Sequence, residues 1–162
     1  MTKETPEFAK PTAEHEWIMS HLGRWIVDCS FYMDPAQPPM KVEATDTVEA
    51  HGQFFTIAKF QANMMGTPFA GVATLGYDPT TKQFQSTWID TMSPFLFFFT
   101  GALDASKKVL TMKGRAPDPM TKQLTDWRTV EEHLDANSRK FEMFVSMGGH
   151  EVKLFTQIYR RA

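Results

Sequence analysis

From Gly23 to the C-terminal end the chain is a succession of β-branched and aromatic runs, each about ten residues long and each closed by turn residues. No helix-length segment interrupts them, so parallel crossovers cannot be built and doubly wound or (β/α) barrel folds are excluded. About ten strands are expected, beginning near Gly23, Lys41, Gln53, Pro68, Lys82, Phe95, Lys107, Gln123, Arg139 and His150. The breakers carry their own chemistry. Asp78-Pro79-Thr80-Thr81 suits a type I turn, Asp104-Ala105-Ser106 and Asp135-Ala136-Asn137 allow tight reversals, and Gly148-Gly149 accepts positive φ at both central positions. Consecutive strands should therefore be antiparallel neighbours. Laid flat, so many strands would expose two unpaired rims, whereas closure removes both. The expected fold is an all-β, antiparallel up-and-down β-barrel of about ten strands with one short N-terminal helix.

That helix is expected over residues 12–22, with Thr12 as N-cap, Glu14 and Glu16 at the positive end of the dipole, and Trp17, Ile18, His21 and Leu22 as its apolar stripe. Residues 1–11, with two prolines and no period, read as a flexible tail ahead of a single domain over 12–162. With 162 residues, 42% hydrophobic and 22% charged, the chain can bury one core without staples. The polar N-terminus lacks a secretory apolar stretch, which points to the cytoplasm, and the most apolar run, residues 94–103, is about half the ~20 residues that a spanning helix needs. A net charge of −2 supplies no field to gather nucleic acid or anionic lipid. The lone cysteine, Cys29, shares a strand face with Trp25, Val27 and Phe31 and reads as a buried, inert thiol.

Fourteen Phe and eleven Met must fill or line something. Both faces of the strand through Phe97 are apolar, so its outer face calls for a cover, first the helix and then a homodimer partner. In the second strand Val42, Ala44, Val48 and Ala50 lie on one side, and Asp46 falls among them. An inward Asp46 could meet Arg128 or Trp88; a β-bulge would turn it outward. Trp88 and Asp90 share a face with Phe84 and Ser86, placing an indole beside a carboxylate inside the barrel or, alternatively, Asp90 as a cap of the turn that follows. Two patterns compete around Arg128. With Leu124, Asp126, Arg128 and Val130 inward, Arg128 could clamp a carboxylate; with Trp127 and His133 inward, the lumen is aromatic with an acid-base group; a solvated, salt-bridged Arg128 is the plainer alternative.

Histidines 15, 21, 51, 133 and 150 include no local metal-binding spacing, so no metal is expected. Glu131 and His133 do share a strand face, and a late histidine could in principle serve as a haem ligand. There is no nucleophile elbow and no phosphate-binding Gly-rich loop, and no cofactor is expected.

Pro11-Thr12-Ala13-Glu14-His15-Glu16-Trp17 followed by Leu22-Gly23-Arg24-Trp25, then Met65-Gly66-Thr67-Pro68, Leu75-Gly76-Tyr77-Asp78-Pro79, Thr87-Trp88-Ile89-Asp90, Gly101-Ala102-Leu103-Asp104 and Ile158-Tyr159-Arg160-Arg161 together resemble a bacterial family known as domain of unknown function 1579. The resemblance implies a calycin-like barrel, in the company of lipocalins and fatty-acid-binding proteins, and carries no accepted catalytic residues. The functional expectation is a barrel that binds a small apolar or aromatic ligand, with Trp88, Asp90, Asp46, Arg128, Tyr77, Phe97 and Trp127 as candidate contacts. The alternative is an isomerase- or cyclase-like enzyme using an inward Asp with Arg128, Tyr77 or His133 in the same cavity.

Overall fold

The computed structural model describes residues 8–162, so most of the tail expected over 1–11 lies outside the described residues. The elements are α1 (Ala13–Met19), β1 (Gly23–Phe31), β2 (Met40–His51), β3 (Phe55–Met64), β4 (Thr67–Asp78), β5 (Gln83–Asp90), β6 (Phe97–Leu103), β7 (Val109–Pro117), β8 (Leu124–Asp135), β9 (Ser138–Met147) and β10 (His150–Arg161). The ten strands form one closed barrel in which every strand pairs with its sequence neighbours and β1 closes on β10. Strand starts fall within two residues of the expected positions because the turn residues, not the apolar runs, set the boundaries. Met65-Gly66 and Gly148-Gly149 make two-residue hairpins, with φ of 52° and 90° in the first and 59° and 80° in the second. Among the described residues no helix is long and apolar enough to cross a membrane.

The helix is shorter than expected. After Met19 the amides of His21 and Leu22 bond to the carbonyls three residues back, tightening the chain into a turn that leads directly into β1. Three residues of tether span about 10 Å at most, so α1 cannot reach the outside of β6, five strands away around the barrel. It plugs the adjacent end instead. Ile18 is fully buried in the same cluster as Phe84 and Leu110, and Trp17 donates its indole N–H to the Lys107 carbonyl at 3.0 Å. The outer face of β6 is thus not covered by the helix as expected, and Phe98 remains half exposed.

Two side chains hold the plug. The Thr12 amide donates to His15 Nδ1 (2.9 Å), which leaves Nε2–H to donate to the Tyr77 carbonyl (3.0 Å). Arg161 donates to the carbonyls of Ser20, Leu22 and Ala136 at 2.7–3.1 Å, locking the last strand onto the helix exit. Because His15 is buried and both its ring nitrogens are used, His15→Ala is expected to cost about 1–3 kcal/mol. Hydrogen exchange should then speed up in residues 13–19 before the strands respond; unchanged exchange there would show that the helix is held by other contacts.

Candidate functional site

Side-chain size is unevenly distributed around the lumen. On β3 and β4 the inward positions include Ala58, Ala62, Gly71 and Ala73, whereas the strands opposite contribute Phe97, Phe99, Met112 and Trp127. The shortfall leaves a cavity of about 330 Å³, within the size range of small-molecule sites. Gly71 is part of this design, since a Cβ there would lie 2.0 Å from the Trp88 indole, which crosses the lumen at that level. Trp88 stacks on Phe69 at 6.4 Å between centroids and meets Phe60 edge-on at 6.1 Å.

Trp88, Asp90, Asp46, Phe97 and Trp127 all line this cavity. Asp90 does both things considered for it. Its Oδ2 accepts the Trp88 indole N–H at 2.8 Å, while Oδ1 accepts the amides of Met92 and Ser93. It therefore orients the indole and presents no free oxygen along those bonds. Asp46 points inward without a bulge, and its partner is Arg139 at 3.5 Å, not Arg128 or Trp88.

Arg128 is placed outside the barrel, correcting its candidacy as a ligand clamp. Burying Trp127, Thr129 and Glu131 on one face of β8 sends Arg128 to the other, where it pairs with Glu151 through Nε (3.0 Å) and Nη2 and lies 4.2 Å over the Phe144 ring. Tyr77 is also displaced from the proposed role. It sits under the helix, packing on Phe84 at 5.0 Å, and lines a separate recess there beside Trp17.

The polar heart of the lumen lies at the helix-capped end and includes residues that the pattern along the chain did not single out. Arg139 pairs with Glu131 and Asp46, and its guanidinium lies 3.9 Å over the Tyr159 ring and 4.8 Å over that of Trp25. Glu131 Oε2 meets His21 Nε2 at 2.7 Å, and the Tyr159 hydroxyl donates to Gln157 at 3.0 Å. Arg139 could have been found: Arg139, Phe141, Met143 and Val145 alternate along β9 with the period of an inward face. His21 could not, since nothing local links a helix exit to a strand more than a hundred residues later.

Burial drives Asp46 up to about 6, with Arg139 opposing and Glu131 adding to the rise. Burial also pushes Glu131 upward, but His21 and Arg139 overcome it and hold the carboxyl well below the ordinary range. Cys29, pushed to about 11 by burial, is the inert thiol expected. Two buried atoms in this cluster have no partner, Asp46 Oδ1 and Arg139 Nε.

A closed ten-stranded antiparallel barrel, capped by one helix around a lumen, defines the protein as a calycin-like barrel. The chain belongs to the family described as "Protein of unknown function (DUF1579)", which matches residues 10–161. Its fold is similar to that in the crystal structure of Rv2717c from M. tuberculosis, with a TM-score of 0.70 at 11% identity over 94% of this chain and 99% of that one. It is also similar to the S-type phycobiliprotein lyase CPES from Guillardia theta, with a TM-score of 0.62 at 8% identity over 93% of each chain. No curated protein matches the sequence.

Proposed function

We propose that the barrel binds one small, uncharged, largely apolar or aromatic molecule, with a hydroxyl or similar donor-acceptor group against Asp46 and Arg139 and its body against Trp88 and Phe97. The observation that carries this is a mainly apolar cavity lined by Asp46 and Arg139, two polar side chains that each keep one buried atom, an acceptor and a donor, without a hydrogen-bond partner. An unmade buried hydrogen bond costs about 1–3 kcal/mol, so a guest that satisfies both atoms gains affinity as well as orientation. Charge decides the class. Arg139 already faces Glu131 and Asp46, so a guest carboxylate would enter beside two carboxylates, whereas a hydroxyl donates to one and accepts from the arginine. Exposed Met33, Met65, Met92 and Met120 lie on four loops at the end away from the helix and give an apolar guest an adaptable entrance.

Displacement of phenylnaphthylamine fluorescence tests the reading. At pH 8 dodecanol should compete at least about tenfold better than dodecanoate, a difference of about 1.4 kcal/mol. Filling the hollow side by Ala58→Phe should abolish uptake of the reporter. Equal competition by alcohol and acid would remove the assigned polar contact, and undiminished uptake by the filled variant would remove the cavity as the site.

A second reading, proton-transfer catalysis on the same guest, is favoured by the Asp46 carboxyl at about 6 with one oxygen free. Under that reading Asp46→Asn retains the reporter and loses conversion of any molecule that the wild type is found to transform in a metabolite screen. An Asn variant that still converts it would exclude Asp46 as the base.

A further inference from the structure

We propose that His21, Glu131 and His133 form a three-ligand site for a divalent transition-metal ion of the zinc class, set between the helix exit and β8 at the floor of the lumen. The three ligating atoms converge. His21 Nε2 lies 2.7 Å from Glu131 Oε2 and 3.3 Å from His133 Nε2, and His133 Nε2 lies 3.6 Å from the same carboxylate oxygen. Ligands held 2.0–2.1 Å from one tetrahedral ion are separated by about 3.3 Å, so the observed spacings of 2.7, 3.3 and 3.6 Å need changes of about 0.6 Å at most.

The outer contacts are those that a metal site requires. His21 donates Nδ1–H to the Ile18 carbonyl at 3.0 Å, so in the neutral ring the Nε2 lone pair faces the cluster. Glu131 has its other oxygen engaged by Arg139, leaving Oε2 aimed at the two imidazoles. Trp17 stacks on His133 at 4.3 Å and 13°, fixing the ring plane. With His21 in that tautomer, a lone pair points at a carboxylate oxygen 2.7 Å away. That arrangement is favourable only with a cation between the two, and a second imidazole nitrogen at the same spot suits a metal ion better than a proton. His21 and Glu131 also line the cavity, so a guest or water can complete the coordination. Two imidazoles and one carboxylate are a borderline donor set, suited to zinc, cobalt or nickel and poorly suited to calcium or magnesium.

The test uses the full chain, stripped with chelator and titrated calorimetrically with zinc chloride, then loaded with cobalt(II). One equivalent of zinc should bind saturably, cobalt should develop the intense visible bands of a four-coordinate centre, and tryptophan fluorescence should fall through Trp17. His133→Gln, at the least buried of the three ligands, should weaken zinc binding at least about tenfold, while His51→Gln and His150→Gln should leave it unchanged. Failure to bind one equivalent, or affinity untouched by His133→Gln, overturns the proposal and leaves the cluster as a hydrogen-bonded pin between helix and barrel. If His133→Gln does not fold, the wild-type cobalt spectrum decides, since weak six-coordinate bands would equally overturn it. Reporter uptake by metal-free protein is scored separately, so losing the metal site does not count against the ligand cavity.

Discussion

Arg139→Met should lower the unfolding free energy by about 3–5 kcal/mol at pH 7, the cost of removing one member of a buried ion cluster. Methionine preserves much of the volume against Trp25 and Tyr159, so the loss reports charge rather than a cavity. Without the guanidinium, Asp46 loses its ion-pair partner and Glu131 keeps only the imidazoles of His21 and His133 beside it. Combining Arg139→Met with Asp46→Asn and Glu131→Gln should recover much of the loss, because the penalty lies in the orphaned charges. Denaturant midpoints at constant slope measure each step. A single-variant loss below about 1 kcal/mol would mean that water reaches the cluster and that its charges behave like surface ones.

The second large effect is a pH dependence of opposite sign to ordinary acid denaturation. Asp46 has a folded-state value of about 6 against an ordinary 3.8. Between those values the folded state holds a proton that the unfolded chain has released, so stability is greatest below the lower value and falls as pH rises through the window. At 1.36 kcal/mol per pH unit the fall is about 2–3 kcal/mol, complete a little above pH 6. Glu131 acts the other way, its depressed value giving stability that is present above about 4.5 and lost as pH drops. The Asp46 contribution is isolated by Asp46→Asn, which keeps the shape and removes the titration while Arg139, Glu131 and Tyr159 still face the position. The stability difference between wild type and variant should be flat below about pH 4, move against the wild type up to about pH 6, and then level off. A difference independent of pH would show that Asp46 is solvated enough to titrate normally.

Much of the architecture was legible along the chain because its causes are local. Asp78, Asp104 and Asp135 accept amides within their own turns, so the strands begin and end where those residues stand. Alternation on β2 and β5 offered Asp46, Trp88 and Asp90 an inward place, with a bulge for Asp46 and a turn cap for Asp90 left open; all three line the cavity, and Asp90 caps the turn as well. For β8 the two possible faces were both chemically reasonable, and burial of Trp127 settled the choice. Tyr77 also lies on an inward face; its assignment missed because a face gives depth across the sheet but not height along the barrel, and Tyr77 stands at the level of the helix.

The motifs that carry the family resemblance acquire reasons in three dimensions. Gly23 has φ of +120° and passes against Arg161, Trp88 is held by Asp90, and the terminal Tyr159 and Arg161 serve the lumen and the helix clamp respectively.

Strand number, antiparallel order, closure and the residues that share a face on β1, β2 and β5 are properties of the amino-acid order alone, since pleat and turn act over two to four residues. Only the closed barrel decided that Asp46 meets Arg139, that His21 reaches Glu131 and His133, and that small side chains on β3 and β4 add up to one hollow. Those outcomes depend on distances across the lumen between residues up to 112 positions apart, and on a sum of side-chain volumes that exists only once the wall has closed.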